Sequence, residues 1–205
     1  MSASGWPAVL VDGPVVVRPL RLRDGPAWVA LRTRNAEWLR PWEATPPEGP
    51  RDLFAASLPT FVAMVRRLRH EARSGHGFPF GVDLDGELVG QVNVAGVVRG
   101  SLRSASLGYW LDERVAGRGV MPTAVALVTD HCFRRVGLHR VEVNIRPENV
   151  ASRRVVEKLG FREEGLRRGY LHIAGDWRDH LSYALLREEV PNGVVARWHA
   201  SQHTS

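Results

Sequence analysis

The sequence predicts an α+β fold built as one domain, and three observations support this. Strand-patterned runs gather in the middle and near the end of the chain with helical stretches between them, so the strict alternation of a doubly wound sheet is missing. No internal repeat or low-complexity tract divides the 205 residues, and most inferred connections are short. With 44% hydrophobic and 24% charged residues the chain can bury a real core, which sets disorder aside.

Residues 1–14 read as a loose N-terminal segment, residues 15–189 as the domain and residues 190–205 as a loosely held tail. The run VVVRPL from Val15 to Leu20 is β-branched, and Pro19 suits an edge strand or a strand end. Trp28, Leu31, Trp38 and Leu39 recur at helical spacing until Pro41, which cannot donate to the helical ladder. After the Pro-rich loop EATPPEGP, apolar positions from Leu53 to Leu68 predict a long amphipathic helix over 52–73, kinked or restarted at Pro59 and ended by Gly75 and Gly77.

FPFGVDL, LVGQVNVAGVV and ASLGYWL predict three strands, the first two joined by Asp85-Gly86, a strong signal for a tight hairpin turn with positive φ. Met121 to Val136 reads as a helix opened by Pro122 and closed by Gly137. RVEVNIR alternates, with Val141, Val143 and Ile145 on one face and Glu142, Asn144 and Arg146 on the other, so Arg140 to Arg146 is a half-buried strand. Asn149 to Leu159 predicts a short helix stopped at Gly160, and two more strands flank Ala174-Gly175-Asp176.

Composition narrows the function. No apolar run approaches the ~20 residues needed to cross a bilayer, and Met1 to Gly13 lacks the layout of a secretory signal, so a soluble cytoplasmic protein with no membrane partner is expected. Cys132 is the only cysteine, which removes structural disulfides and thiolate zinc clusters, and the scattered histidines give no metal spacing. The net charge of +6 favours anionic ligands, and of the 28 basic residues only Lys158 is lysine. Guanidinium groups grip phosphates and carboxylates at two points, although a skew of this kind also follows from codon usage.

Leu107 to Ala124 (LGYWLDERVAGRGVMPTA) places a strand before a Gly-rich turn and the turn before a helix. Gly117 and Gly119 let main-chain N–H groups converge without Cβ obstruction, and the helix adds unpaired N–H groups and a positive dipole end. A diphosphate suits that place. G-x-x-x-x-G-K-[ST] fails for want of a lysine, and G-x-G-x-x-G fails because Pro122 stands at its third glycine.

Arg114-x-x-Gly117-x-Gly119 resembles the pyrophosphate-binding signature [QR]-x-x-G-x-[GA] of the GCN5-related N-acetyltransferases, the GNAT superfamily. Some 30 residues on, Asn149-x-x-Ser152 opens a helix running into Glu157-Lys-Leu-Gly-Phe161, similar to that superfamily's second cofactor-facing helix. More narrowly, from about Val15 to Leu186 the chain resembles the RimJ and RimL type of ribosomal-protein-alanine N-acetyltransferase, through RPLRLRD, EWLRPWE, LGYWLDERVAGRG, NVASRRVVEKLGF and GDWRDH.

The resemblance implies a mixed, mostly antiparallel sheet of about seven strands, about four helices and two splayed central strands. It implies acetyl-coenzyme A as co-substrate, no metal, and transfer to the α-amino group of a peptide or protein N-terminus, a ribosomal protein in the family's case. Nucleic acid would then be met only indirectly at the ribosome, and a homodimer is admitted. The backbone of Trp110 and Leu111 would pair with the pantetheine arm and polarise the thioester. Val115 to Val120 would hold the pyrophosphate through main-chain N–H groups, with Arg114 and Arg118 adding charge. Asn144, Asn149 and Ser152 would border the cofactor.

A tyrosine used by some relatives to protonate the leaving thiolate is replaced here by Val156, and Ser152 is the substitute, set against the alternative that it only caps the helix. Asn149 shares its face and can equally be the cap. The usual base positions hold Asn144 and, near the second, Leu171, which leaves Glu142 and His172 as candidates, or no dedicated base. Trp38, Trp42 and Glu43 would border the acceptor groove, where aromatic walls and a carboxylate suit a cationic peptide start. Cys132, inside a helix, reads as a buried thiol and not as an acetyl carrier.

Three other readings stand beside this one: a small-molecule amine acetyltransferase, a coenzyme A-binding regulator without turnover, and a basic nucleic-acid-binding module suggested by RRLRHEAR at Arg66 to Arg73.

Overall fold

A computed structural model describes residues 5–48 and 56–202. Eight strands form one sheet: β1 (Leu10–Asp12), β2 (Val15–Pro19), β3 (Phe78–Leu84), β4 (Glu87–Val98), β5 (Ser104–Leu111), β6 (Arg140–Ile145), β7 (Arg162–Ile173) and β8 (Asp176–Leu186). Their order is β1-β2-β3-β4-β5-β6-β8-β7. Every neighbouring pair is antiparallel except β5 and β6, which run parallel from Ser104 opposite Arg140 to Leu107 opposite Val143. Beyond that point β5 continues to Leu111 and β6 to Ile145 with no pairing between them. The two central strands therefore fork, and the edges facing the fork have no strand to bond.

Six helices cover the sheet: α1 (Gly25–Arg34), α2 (Ala36–Leu39), α3 (Leu58–Arg73), α4 (Val120–His131), α5 (Val150–Lys158) and α6 (Val194–Gln202). One face carries the larger core, where Val120, Ala124, Val125 and Val128 of α4 meet Val17, Phe80, Val92 and Val141 of the sheet. The other carries a smaller cluster in which Trp28 of α1 and Phe61 and Val65 of α3 enclose Leu20. The alternation read in β6 produces this division, since Val141, Val143 and Ile145 are buried while Arg140, Glu142 and Asn144 are half-buried.

Several elements differ from expectation. Among the described residues eight strands replace about seven and six helices replace about four. The first segment is not loose, because Leu10–Asp12 pairs with Val15–Val17 through a turn at Gly13, whose φ is +55°. The tail holds α6, whose Trp198 is buried and donates its indole N–H to Thr123 Oγ1 at 2.9 Å. A three-residue strand and a nine-residue helix are too short for periodicity to declare. Pro59 does not kink a helix; it stands in the first turn of α3 behind the capping Ser57, whose Oγ accepts from Thr60 N. The expected start of that helix over 52–55 lies outside the described residues. The first helical stretch is split at Asn35, whose backbone leaves the helical region. Among the described residues no helix is long and apolar enough to cross a membrane.

Candidate active site

The fork opens into a cavity of about 410 Å³. Trp110 and Leu111 of β5 form one wall, Asn149, Ala151, Ser152, Arg154, Val155 and Lys158 of α5 and its cap form the second, and Gly117, Gly119 and Val120 close one end. Trp38, Trp42 and Glu43, from α2 and the turn after it, line the same cavity. A separate smaller hollow borders Gly119 and Val120 on the other side and takes in Arg118.

The Gly-rich turn has the required backbone. Gly117 and Gly119 stand at φ +79° and +80°, in the left-handed region that favours glycine. A Cβ on Gly117 would meet nothing within 4 Å, while one on Gly119 would come within 3.4 Å of the Trp198 ring. Gly119 caps α4, so the first N–H groups of that helix have no partner within it. Among the described residues the N–H groups of Gly117, Arg118 and Gly119 also have no backbone acceptor. This open cradle of donors at a positive helix end fits the diphosphate of a nucleotide. Val115 is buried with its side chain in the main core, and Arg114 is exposed just outside the cavity lining.

On α5, Asn149 Oδ1 accepts the Ser152 N–H at 3.0 Å, so Asn149 is the cap. That releases Ser152 from capping, and its side chain lines the cavity with no partner for its hydroxyl among the described residues. Ala151, Arg154, Val155 and Lys158 share the same helical face. Arg154 and Lys158 bring two cations into the cavity that the sequence reading missed, although their spacing from Ala151 is a helical stripe. Tyr109 was also missed: its hydroxyl donates to the Ser152 carbonyl at 3.0 Å, and burial pushes its phenol well above the ordinary value.

Glu43 is not a free carboxylate. It pairs with Arg32 of α1, whose guanidinium lies 5.6 Å from the Trp28 ring and 5.2 Å from the Trp110 ring and is pulled below its ordinary pKa by burial. Arg146 lies over Trp42 at 5.5 Å and donates to the Pro41 carbonyl at 2.7 Å, which fixes the second aromatic wall.

The two candidate bases are placed elsewhere. Glu142 has one carboxylate oxygen on Arg140 at 2.7 Å and the other on Arg167 at 3.1 Å, and it does not line the cavity. Both of its carboxylate oxygens are thus engaged by guanidinium groups. His172 meets Thr45 through Nδ1, at 2.9 Å from its hydroxyl and 3.0 Å from its carbonyl, and stands edge-on to Trp177. It fastens the loop after α2 to β7 and takes no place in the cavity. Cys132 is buried, its thiol pushed up to about 12 by burial, and is likewise not part of the cavity.

The sequence matches the family model "Acetyltransferase (GNAT) domain" over residues 15–162. The chain belongs to the GNAT family. It is 32% identical over 178 residues to the [ribosomal protein uS5]-alanine N-acetyltransferase of Escherichia coli, covering 86% of this chain and 89% of that one. It is 32% identical over 180 residues to the probable N-acetyltransferase YjcK of Bacillus subtilis, covering 85% and 95%. Among solved structures, Mycobacterium smegmatis RimJ in complex with CoA-disulfide superposes with a TM-score of 0.92 at 40% identity over 97% of each chain. The protein is thus an acetyl-coenzyme A-dependent N-acetyltransferase, and the cradle at Gly117 and Gly119 is the part of the chain whose donors fit the coenzyme's diphosphate.

Proposed function

We propose that this enzyme acetylates the α-amino group of a protein N-terminus, a ribosomal protein beginning with alanine, by direct transfer. The observation that carries the reading is the continuity of one cavity, from the donor cradle at Gly119 past Trp110 and Ser152 to Trp38, Trp42 and Glu43. Trp38 and Trp42 bring aromatic surface to the acceptor end of the cavity, and the Glu43 carboxylate beside them, paired with Arg32, offers an acceptor to an ammonium group. The name of the Escherichia coli relative, a [ribosomal protein uS5]-alanine N-acetyltransferase, supports the same acceptor class. On this reading the enzyme works in the cytoplasm and meets nucleic acid only through the ribosome.

The chain's residues divide the work. Main-chain N–H groups from Gly117 to Val120 take the diphosphate, with Arg154 and Lys158 adding charge. The unpaired edge of β5 at Trp110 and Leu111 receives the pantetheine arm and polarises the thioester carbonyl. Ser152 Oγ supplies a proton to the departing thiolate. With Cys132 buried outside the cavity, both substrates must be bound together, which gives sequential kinetics.

The test is release of free coenzyme A with peptides beginning in Ala or Ser, set against the same peptides with blocked N-termini. Turnover is expected only with the free N-termini. Equal rates on both, or activity confined to small amines, would remove the N-terminal acceptor.

A further inference from the structure

The GDWRDH segment has no role in the cavity described so far, yet it builds a second feature on the acceptor side of the fork. Along β7 and β8 the pairing jumps from Arg167 opposite His180 to Leu171 opposite Arg178, so extra residues bulge out of β7. Gly169, at φ +52°, permits the bend, and its N–H is held by Asp179 Oδ1 at 2.7 Å. The bulge turns Tyr170 back across β8, its ring edge-on to the buried His180 at 5.3 Å and beneath the Arg167 guanidinium at 5.1 Å.

The Tyr170 hydroxyl then meets Asn144 of β6, with Nδ2 and oxygen 3.3 Å apart. Ser182 Oγ donates to Asn144 Oδ1 at 2.7 Å, which orients the amide so that its NH₂ faces the phenol. Tyr170 therefore accepts from Asn144 and keeps its own proton and remaining lone-pair density for another partner. Asn144 is the first residue of β6 beyond the last β5–β6 pair. Across the fork Gly108 is exposed, and a Cβ there would meet nothing within 4 Å. Neither Asn144 nor Tyr170 lines the cavity itself; the pair stands beside it where the fork begins, and the bare Gly108 opposite leaves room on that side.

We propose that Tyr170 is the acceptor-side catalytic residue, its hydroxyl oxygen taking an N–H of the attacking amine and relaying that proton to water. The amine lone pair attacks the thioester carbon, so that the C–N bond forms and the C–S bond breaks. The proton leaving nitrogen passes to the Tyr170 oxygen as the phenol's own proton passes to water. The departing thiolate takes the Ser152 hydroxyl proton and Ser152 recovers one from water, which offsets the proton Tyr170 released there, so none is gained or lost overall. Asn144 and Asp179 act through Tyr170 and are positioning residues. The proposal rests on the cavity being the transfer site and holds for any primary amine acceptor.

The test compares wild type, Tyr170→Phe and Asp179→Ala with an Ala-starting peptide and with phenethylamine, reading kcat, KM, coenzyme A affinity and Tm. Tyr170→Phe keeps the ring and is expected to lower kcat on the order of 100-fold, the usual range for a proton-transfer group, with coenzyme A affinity within about twofold and Tm unchanged. Asp179→Ala, which frees the bulge and keeps the phenol, is expected to lose a smaller part of kcat. Wild-type kcat in Tyr170→Phe overturns the proposal, as does a loss of coenzyme A affinity or Tm that accounts for the fall. A wild type active only on phenethylamine removes the N-terminal acceptor while the comparison on that amine still decides Tyr170. A wild type that binds coenzyme A and acetylates neither amine overturns both.

Discussion

Asn149 caps α5, and that single hydrogen bond decides what Ser152 is free to do. Ser152→Ala should lower kcat on the order of 100-fold and leave coenzyme A affinity nearly unchanged, because the role proposed for its hydroxyl is at the departing thiolate and not at the diphosphate. Gly119→Glu should abolish coenzyme A binding, since it forces a side chain into a left-handed position against Trp198 and brings negative charge to the donor cradle. Calorimetric titration with coenzyme A alongside initial rates checks the pair. Normal coenzyme A affinity in Gly119→Glu would move the diphosphate elsewhere. At this scale the donor side was legible, because glycine at fixed spacing before a helix reports a backbone requirement. The candidate bases were not. Glu142 and His172 were chosen because they neighbour the positions where relatives carry a base, and only three dimensions show Arg140, Arg167 and Thr45 occupying them. Arg32 escaped notice because its partner Glu43 belongs to a different element.

Among the elements, the join between α1 and the turn after β5 carries the most electrostatic consequence. Asn35 donates to Asp112 Oδ1 at 2.9 Å and accepts the Glu113 N–H at 3.0 Å, and Arg34 also pairs with Asp112. Burial alone would raise the Asp112 carboxyl, but hydrogen bonds from Arg34, Asn35 and the Arg114 amide outweigh it and hold the group below its ordinary value. A carboxyl lowered by folding stabilises above its unfolded pKa, and that contribution is lost as the pH falls through the folded value. Asp112→Asn should therefore melt below wild type near pH 7, with the gap narrowing below about pH 4. Melts across that range check it, and a gap constant with pH would contradict it. Most elements were readable from the chain because β6 alternates cleanly and glycines mark where elements end. The bulge in β7 was not, since a shift of register leaves the alternation of each strand locally intact and appears only when the partner is known.

For the whole molecule, the C-terminal helix is the largest departure from expectation and stands closest to function. Trp198 is buried, bonds Thr123 in the first turn of α4, lies beside Gly119 and sits 5.9 Å from the Lys158 ammonium. Trp198→Ala should cost about 3–5 kcal/mol of stability, the usual range for a buried tryptophan, and weaken coenzyme A binding as well. Denaturant unfolding with and without coenzyme A measures both, and a variant equal to wild type in affinity would separate α6 from the cradle. The main domain was visible in the sequence as a pattern of strands and helices, whereas its terminal additions earn their place through single contacts that no pattern announces. The clamp at Asn35 has a mechanical meaning of its own. One asparagine ends the helix that carries Arg32 toward the acceptor and grips the bend leading into the anion loop, so the two halves of the transfer machinery hang from one rivet.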